Sequence, residues 1–365
     1  MKRLLVLSFI LLAAAASAQA PSTFPDTPFK LATFEAGGTI RVGLVVGDTV
    51  LDIQGANQVL ASAESLSRVD IPNEMRALIE SYEQTKARLY QIANYYAGKN
   101  VAGQSFAFGY DDVALKAPIK YPYNMLAAAA NYQDHSAEMA RRYGNPAPKP
   151  VDPDKTSPTF FAKSPRSCII DPGAAFPIPN VKGKAFDWEN ELAVIIGKPA
   201  THLTLANAKD HVFGYSIIFD VSTRDNGEED EEEADEESSG GFNFGVNWFE
   251  AKSRDNAAPF GPVIVPKEFI GDSGNLRMTT KINGVLKQDG NTKDMIHNEA
   301  RLLRHVTSIL TLYPGDVVVT GTPAGVGSAR QPPEFLAAGD VVEMWIEGIG
   351  TLVTPIEKSK DSATE

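Results

Sequence analysis

Between residues 29 and 53 the stretch FKLATFEAGGTIRVGLVVGDTVLDI alternates apolar and polar positions around Gly37-Gly38 and Gly47-Asp48. A period of two puts one face of each segment in a core and the other in water, and the turn residues divide the stretch into three short antiparallel strands. The period then changes. Met75, Leu78, Ile79 and Tyr82, followed by Leu89, Ile92 and Tyr95, recur at three and four residues, so 56–98 is expected to form helices packed on that small sheet. The proline-bearing LKAPIKYPYN at 115–124 marks a boundary. Beyond it strand-like runs dominate: MLAAAANY, ELAVIIG, VFGYSIIFDV, GPVIVP, LRMTTKING, DVVVTGTP and DVVEMWIEGIGTLVTPI, with a convincing helical pattern only at 294–312. The expected fold is α+β and β-rich, a small N-terminal domain at 19–118 (a β-meander plus helices) ahead of a larger domain at 119–358, with a tail at 359–365.

One strand carries a fault in this pattern. FDWENELAVIIG, 186–197, begins with Glu189 and Glu191 before a run of buried type. Residues two apart on a strand share a face, so the two carboxylates project together and repel unless water or a cation lies between them. Asp220 ends the apolar run FGYSIIF in the same way. Three carboxylates with no histidine pair or cysteine beside them suit a hard cation, Mg²⁺, Mn²⁺ or Ca²⁺, rather than zinc. A solvated strand end is the other reading of the same residues.

Two further stretches offer chemistry. In NYQDHSAEM, 131–139, a helical turn over 134–139 would bring His135 and Glu138 together at i and i+3, the carboxylate orienting the imidazole as a general base. The alternative is a surface pair at the end of a short helix. The loop GTPAGVG, 321–327, has glycines that let backbone N–H groups turn toward an anion, with Thr320 or Thr322 adding a hydroxyl. It is neither a Walker loop nor a dinucleotide fingerprint, and a simple strand-ending turn fits it equally.

Composition limits the partners. Of 365 residues, 43% are hydrophobic and 22% charged, which is globular and large enough for a proper core. Lys2 and Arg3, the run LLVLSFILLAAAA and the small residues after it read as a secretory signal peptide, cleaved after Ala18, so an exported, periplasmic or secreted protein is expected. Cys168 is the only cysteine, which forbids an intrachain disulfide. The formal charge is −12, but nine of the acids lie in EEDEEEADEE, 228–237. The body is therefore only mildly acidic, with no basic surface for nucleic acid and no membrane anchor left after processing. The segment 226–241 is expected to be a solvated surface insertion.

The blocks NYQDHSAE, FFAKSP, DWENELAVIIGK, FGYSIIFDVSTRD, WFEAKSRD, PFGPVIV, INGVLKQDGNTKDMI, LYPGDVVVTGTPAGVG and AAGDVVEMWIEGIG, in that order from Met125 to Ile356, closely resemble the fumarylacetoacetate hydrolase family. The resemblance implies a mixed β-sandwich or β-roll catalytic domain, a homodimer, and Mg²⁺ (Mn²⁺ or Ca²⁺ also serving) acting on 2-oxo or 1,3-dioxo acids. It makes Glu189, Glu191 and Asp220 the metal ligands and His135 with Glu138 the catalytic dyad. Lys252 would stabilise an oxyanion, and the loop at Thr322 would hold the substrate carboxylate. Tyr132, Lys163 and Arg224 match positions on the substrate side, although Lys163 also fits a structural ion pair and Arg224 a pair with Asp225. The chain departs from the family at Gly227, where diketo-acid hydrolases often carry glutamine, and in the acidic run, which falls where relatives build a lid. The expected activity is metal-dependent C–C hydrolysis of an acylpyruvate. An isomerase, tautomerase or decarboxylase of unsaturated 2-oxo dicarboxylates, or a non-catalytic periplasmic binding protein, are the alternatives.

Overall fold

The computed structural model describes residues 20–225 and 247–359. The expected signal peptide, the acidic insertion at 226–241 and the tail beyond residue 359 lie outside the described residues. The chain opens with the expected meander, β1 (Lys30–Ala36), β2 (Thr39–Val46) and β3 (Thr49–Asp52), joined at Gly37-Gly38 and Gly47 in the left-handed region that glycine adopts freely. Helices α1 (Ile53–Ala63), α2 (Met75–Glu80) and α3 (Tyr82–Tyr96) follow. Asp52 caps the first through its carboxylate and the Gln54 N–H, and Glu74 caps the second through the Arg76 and Ala77 N–H groups.

The remaining elements that matter to the site are β4 (Met125–Ala129), α4 (Gln133–Arg142), β5 (Thr159–Ala162), β6 (Lys184–Asp187), β7 (Asn190–Ile196), β8 (Val212–Phe219), β9 (Ser222–Asp225), α5 (Trp248–Lys252), β10 (Ala258–Pro266), β11 (Arg277–Ile282), β12 (Val285–Asn291), α6 (Glu299–Ile309), β13 (Val317–Val319), β14 (Val341–Ile346) and β15 (Gly350–Lys358). A twelve-stranded sheet runs from Ala107–Gly109 through β3, β2, β1, β10, β8, β7, β13 and β4 to β5, with Ala114–Lys116 added beside β1 and Ile169–Ile170 beside β10. A five-stranded sheet, β12-β11-β14-β15 and Phe176–Ile178, packs over it, and β6 pairs with β9 as a separate ribbon. The fold is α+β and strand-rich.

Strand β7 shows how the layers are built. Every residue in it is buried, so it lies in the middle of the large sheet with both faces covered. Ala193 and Ile195 point into a cluster with Leu78, Ile79 and Leu89 of the N-terminal helices. Leu192, Val194 and Ile196 point the other way, into a cluster with Met278, Met344 and Leu352 of the second sheet and Leu302, Leu303 and Val306 of α6. The order is helices, sheet, sheet, with α6 beside the second sheet.

Two features extend what the pattern predicts. The segment 115–124 does not interrupt the architecture: Ala114–Lys116 pairs with β1, and β1 itself pairs with β10 at Leu31 and Ile264, so one sheet passes through both parts of the chain. The helix around His135 spans ten residues, from Gln133 to Arg142, where the sequence suggested a single turn.

Candidate active site

At the end of β7 nearest β6, the strand period does what the sequence implied. Glu189 and Glu191 project together, and β8 pairs antiparallel with β7 so that Asp220, one residue past its end, reaches the same place. One oxygen from each of the three carboxylates lies within 4.8 Å of the others, and all three residues are buried. At that separation each pair of ionised carboxylates repels by roughly 3.5 kcal/mol at an effective dielectric of about 20. Something positive must lie among them.

Three cationic side chains supply part of it. Lys252, at the end of α5, donates to Glu189 Oε2 at 2.7 Å, to Asp220 Oδ2 at 2.7 Å and to Ser222 Oγ at 2.6 Å. Lys163, following β5, donates to Asp220 Oδ1 at 2.5 Å. Arg224 on β9 pairs with Glu189 Oε1 through Nη2 and with Asp187 Oδ2 through Nε at 3.2 Å. Burial pushes Glu189 upward, but Lys252 and Arg224 outweigh it and hold the group well below the usual carboxylate range. Glu191 is different: burial first, then the charges of Asp220 and Glu189, drive it well above that range, and among the described residues its hydrogen-bond donor is the Gly321 N–H at 2.6 Å. A buried, all-oxygen trio with one member pushed toward its neutral form is a donor set that a divalent cation fits.

The dyad forms on α4. His135 Nδ1 lies 2.8 Å from Glu138 Oε1, both side chains being nearly buried, which leaves Nε2 as the ring nitrogen open to the cleft. The second oxygen of Glu138 accepts from the Gly325 N–H at 2.8 Å. A cleft of about 940 Å³ has His135, Glu189, Glu191, Arg224, Lys252 and Thr322 among its lining residues, with Tyr143 and Trp248 also on its wall.

The glycine loop behaves in a way the sequence did not reveal. Its amides do turn toward anions, but the anions belong to the protein: Gly321 N–H to Glu191, Gly325 N–H to Glu138, Gly327 N–H to Asp187. Thr322 lines the cleft, but its hydroxyl donates to the Asn190 carbonyl at 3.0 Å and accepts from Gln288 Nε2 at 2.9 Å. Thr320 is wholly buried. Lys252 is likewise committed, since an ammonium has three hydrogens and all three are matched, so as placed it is a counter-ion to the carboxylates and has none left for an oxyanion.

Two residues expected on the substrate side lie elsewhere. Tyr132 is fully buried, and its hydroxyl donates to Met278 Sδ at 3.4 Å. Of the two readings of Lys163, the structure shows the ion pair, because its side chain is wholly buried against Asp220. Arg224 does line the cleft, and it pairs with Asp187 and Glu189 while Asp225 pairs with Lys184. Sequence reasoning missed Asp187, which the period of two already placed on the face of Glu189 and Glu191, and the Asn190–Gln288 pair, whose 98-residue separation hides it.

Known proteins share this arrangement of sequence. The model of the fumarylacetoacetate (FAA) hydrolase C-terminal region matches residues 124–357. Oxaloacetate tautomerase YisK of Bacillus subtilis is 33% identical over 329 residues, covering 90% of this chain and 99% of that protein. Among solved structures, the fumarylacetoacetate hydrolase of psychrophilic Exiguobacterium antarcticum is 30% identical with a TM-score of 0.66, covering 91% of this chain and 100% of its own. A maleylpyruvate hydrolase from Sphingobium sp. SYK-6, in complex with manganese(II) and pyruvate, is 25% identical with a TM-score of 0.64 over 91% of this chain and 100% of that one.

Proposed function

Since the chain belongs to the fumarylacetoacetate hydrolase family, we propose that it is a divalent-metal-dependent enzyme that interconverts the keto and enol forms of a short 2-oxo dicarboxylic acid of the oxaloacetate class. The observation that carries this reading is that His135, held by Glu138, lines the same cleft as Glu189 and Glu191 of the buried carboxylate trio. Keto–enol exchange needs a base beside the carbon next to the carbonyl and a cation at the carbonyl oxygen, and the cleft provides a place for each. The similarity to an oxaloacetate tautomerase over nearly its whole length supports the choice of substrate class.

Glu189, Glu191 and Asp220 would hold the cation, Mg²⁺ or Mn²⁺, which when bound supplies Lewis-acid stabilisation of the enolate oxygen. Lys252 and Arg224 pair with Glu189, and Lys252 and Lys163 pair with Asp220, which holds these two ligand carboxylates in place. In the keto-to-enol direction His135 Nε2 takes the proton from the carbon next to the carbonyl and the enolate oxygen takes one up from water; in the reverse direction the oxygen gives its proton up and His135 protonates the carbon, while Glu138 holds the ring through Nδ1 and balances the charge on the imidazolium. Glu138 is itself fixed by the Gly325 amide, so the ring is aimed before substrate arrives. A protein that only binds its ligand has no use for such a dyad.

A second reading has one observation in its favour. The same dyad can activate water, and the similarity to a maleylpyruvate hydrolase supports C–C hydrolysis of an acylpyruvate. The two are separated by following oxaloacetate enol absorbance and exchange of its carbon-bound protons with deuterated solvent, beside product analysis on acylpyruvates, with Mg²⁺, with Mn²⁺ and with chelator. Metal-dependent deuterium uptake with the carbon skeleton intact is expected. Exchange that survives chelation would overturn the reading, release of pyruvate plus an acid would establish hydrolysis, and loss of carbon dioxide would establish decarboxylation.

A further inference from the structure

Asp187 ends β6 with its side chain wholly buried, and it is not among the residues lining the cleft. It nevertheless accepts four hydrogen bonds. Oδ1 receives the Trp188 N–H at 2.8 Å and the Gly327 N–H at 2.7 Å; Oδ2 receives the Ser328 N–H at 3.1 Å and Arg224 Nε at 3.2 Å. No oxygen is left for a substrate, but the donors belong to two different parts of the site.

One arm runs through Arg224, whose other end donates to Glu189 of the carboxylate trio. The other runs through Gly327 and Ser328 to Gly325, whose amide holds Glu138, which holds His135. This second arm is stiff: Trp188 Nε1 donates to the Gly325 carbonyl at 3.1 Å, and a methyl group on Gly327 would meet the Trp188 ring at 2.6 Å. Arg142 closes the circuit by donating from α4, the helix of the dyad, to the Ser328 carbonyl at 2.6 Å. We propose that Asp187 is a positioning residue that couples the cation-binding carboxylates to the His135–Glu138 dyad, so that the two halves of the site tighten together. The inference rests on the reading that Glu189, Glu191 and Asp220 hold a cation and that His135 moves the proton.

Asp187→Asn is the test, because it keeps shape and size but turns an NH₂ against N–H donors. Outer groups of this kind change metal affinity or activity about ten- to a hundredfold. For the full mature protein, Mn²⁺ affinity measured by titration is expected to fall by that factor, and kcat at saturating Mn²⁺ to fall comparably, with KM moving less than about threefold. In a Glu138→Gln background the same change should cost little further kcat, since both act through one network. A lowered melting temperature with wild-type metal affinity and kcat would overturn the proposal, as would losses that multiply with Glu138→Gln. Should the variant not fold, hydrogen exchange on the wild type decides: Mg²⁺ should slow exchange of the Gly325, Gly327 and Ser328 amides, and unchanged exchange overturns the coupling. The affinity and exchange measurements need no substrate. If the protein turns over no 2-oxo dicarboxylate, the functional reading fails while these two still judge Asp187.

Discussion

A carboxylate in this site is defined by what donates to it, and the three glutamates divide on that basis. Glu189 has two cations, Glu138 a histidine and an amide, and Glu191 an amide. Replacing Glu191 with Gln removes the ligand whose ionisation is least favoured in the metal-free protein, so Mn²⁺ affinity should collapse while the metal-free melting temperature holds or rises. A fall in that temperature would show that Glu191 is an ordinary buried acceptor. Gly325 makes a second residue-scale prediction. Its φ of 106° is a conformation that alanine disfavours, and a Cβ there would lie 2.3 Å from the Lys287 carbonyl. Gly325→Ala should therefore cost about 1–3 kcal/mol of stability and displace the amide that fixes Glu138, lowering kcat beyond what the lost stability explains. Denaturant unfolding beside steady-state kinetics checks both. The acidic residues were legible in the sequence because strand period and local helix geometry bring them together. The donors were not: Gly321 and Gly325 lie more than a hundred residues from the acids they serve, and a glycine loop does not announce which anion it faces.

Elements only a turn or two long are held by their neighbours, and α5 is the case that matters. Five residues cannot sustain a helix alone, yet this one delivers Lys252. It is docked by Trp248 stacked on Phe161 of β5 at 5.0 Å and 7°, by Ser253 Oγ on the Ala162 carbonyl at 3.3 Å, and by Arg254 Nε on Thr223 Oγ1 at 3.0 Å. Aromatic stacking contributes about 0.5–1.5 kcal/mol. Trp248→Ala should lower metal affinity several-fold, with little change in melting temperature, and Trp248→Phe should restore it; a Phe variant as weak as the Ala one would rule out the stack as the docking element. The longer α6 is tied to β8 by Glu299, which accepts from Tyr215 and from Ser273 Oγ at 2.8 Å. Burial pushes the Glu299 carboxyl above its ordinary value. A raised folded-state value means that its stabilising contribution is complete below about pH 4.3, the unfolded value, and is lost as pH rises through the folded one. Melting temperature against pH should show that decline, and Glu299→Gln should flatten it. The helix at 294–312 was readable from its apolar period, whereas α5 was not, because its existence depends on the ring of Phe161, which lies on β5, several strands earlier in sequence.

Across the whole molecule the two parts read from the sequence are one mechanical body. The meander continues the large sheet through β1 and β10, and Leu78, Ile79 and Leu89 cover the face of that sheet that carries Ala193 and Ile195. Calorimetry should give a single unfolding transition, and a fragment starting at residue 119 should fail to fold because that face would be bare; two separable transitions would contradict this. Proline composition suggested a boundary at 115–124, but composition says nothing about the hydrogen bonds that the sheet makes across it. The amide loop has a last consequence, for the order in which the chain is made. Glu138, Asp187, Glu189, Glu191 and Asp220 emerge from the ribosome a hundred or more residues before the backbone N–H groups at 321–328 that donate to three of them. Every product cut short between Lys252 and Gly321 thus has the lysines and the arginine that answer Asp187, Glu189 and Asp220 but lacks the amides that hold Glu138 and Glu191. Such a product carries all three cation ligands but not the backbone that aims the dyad, so the proton-moving half of the site is the last to be made.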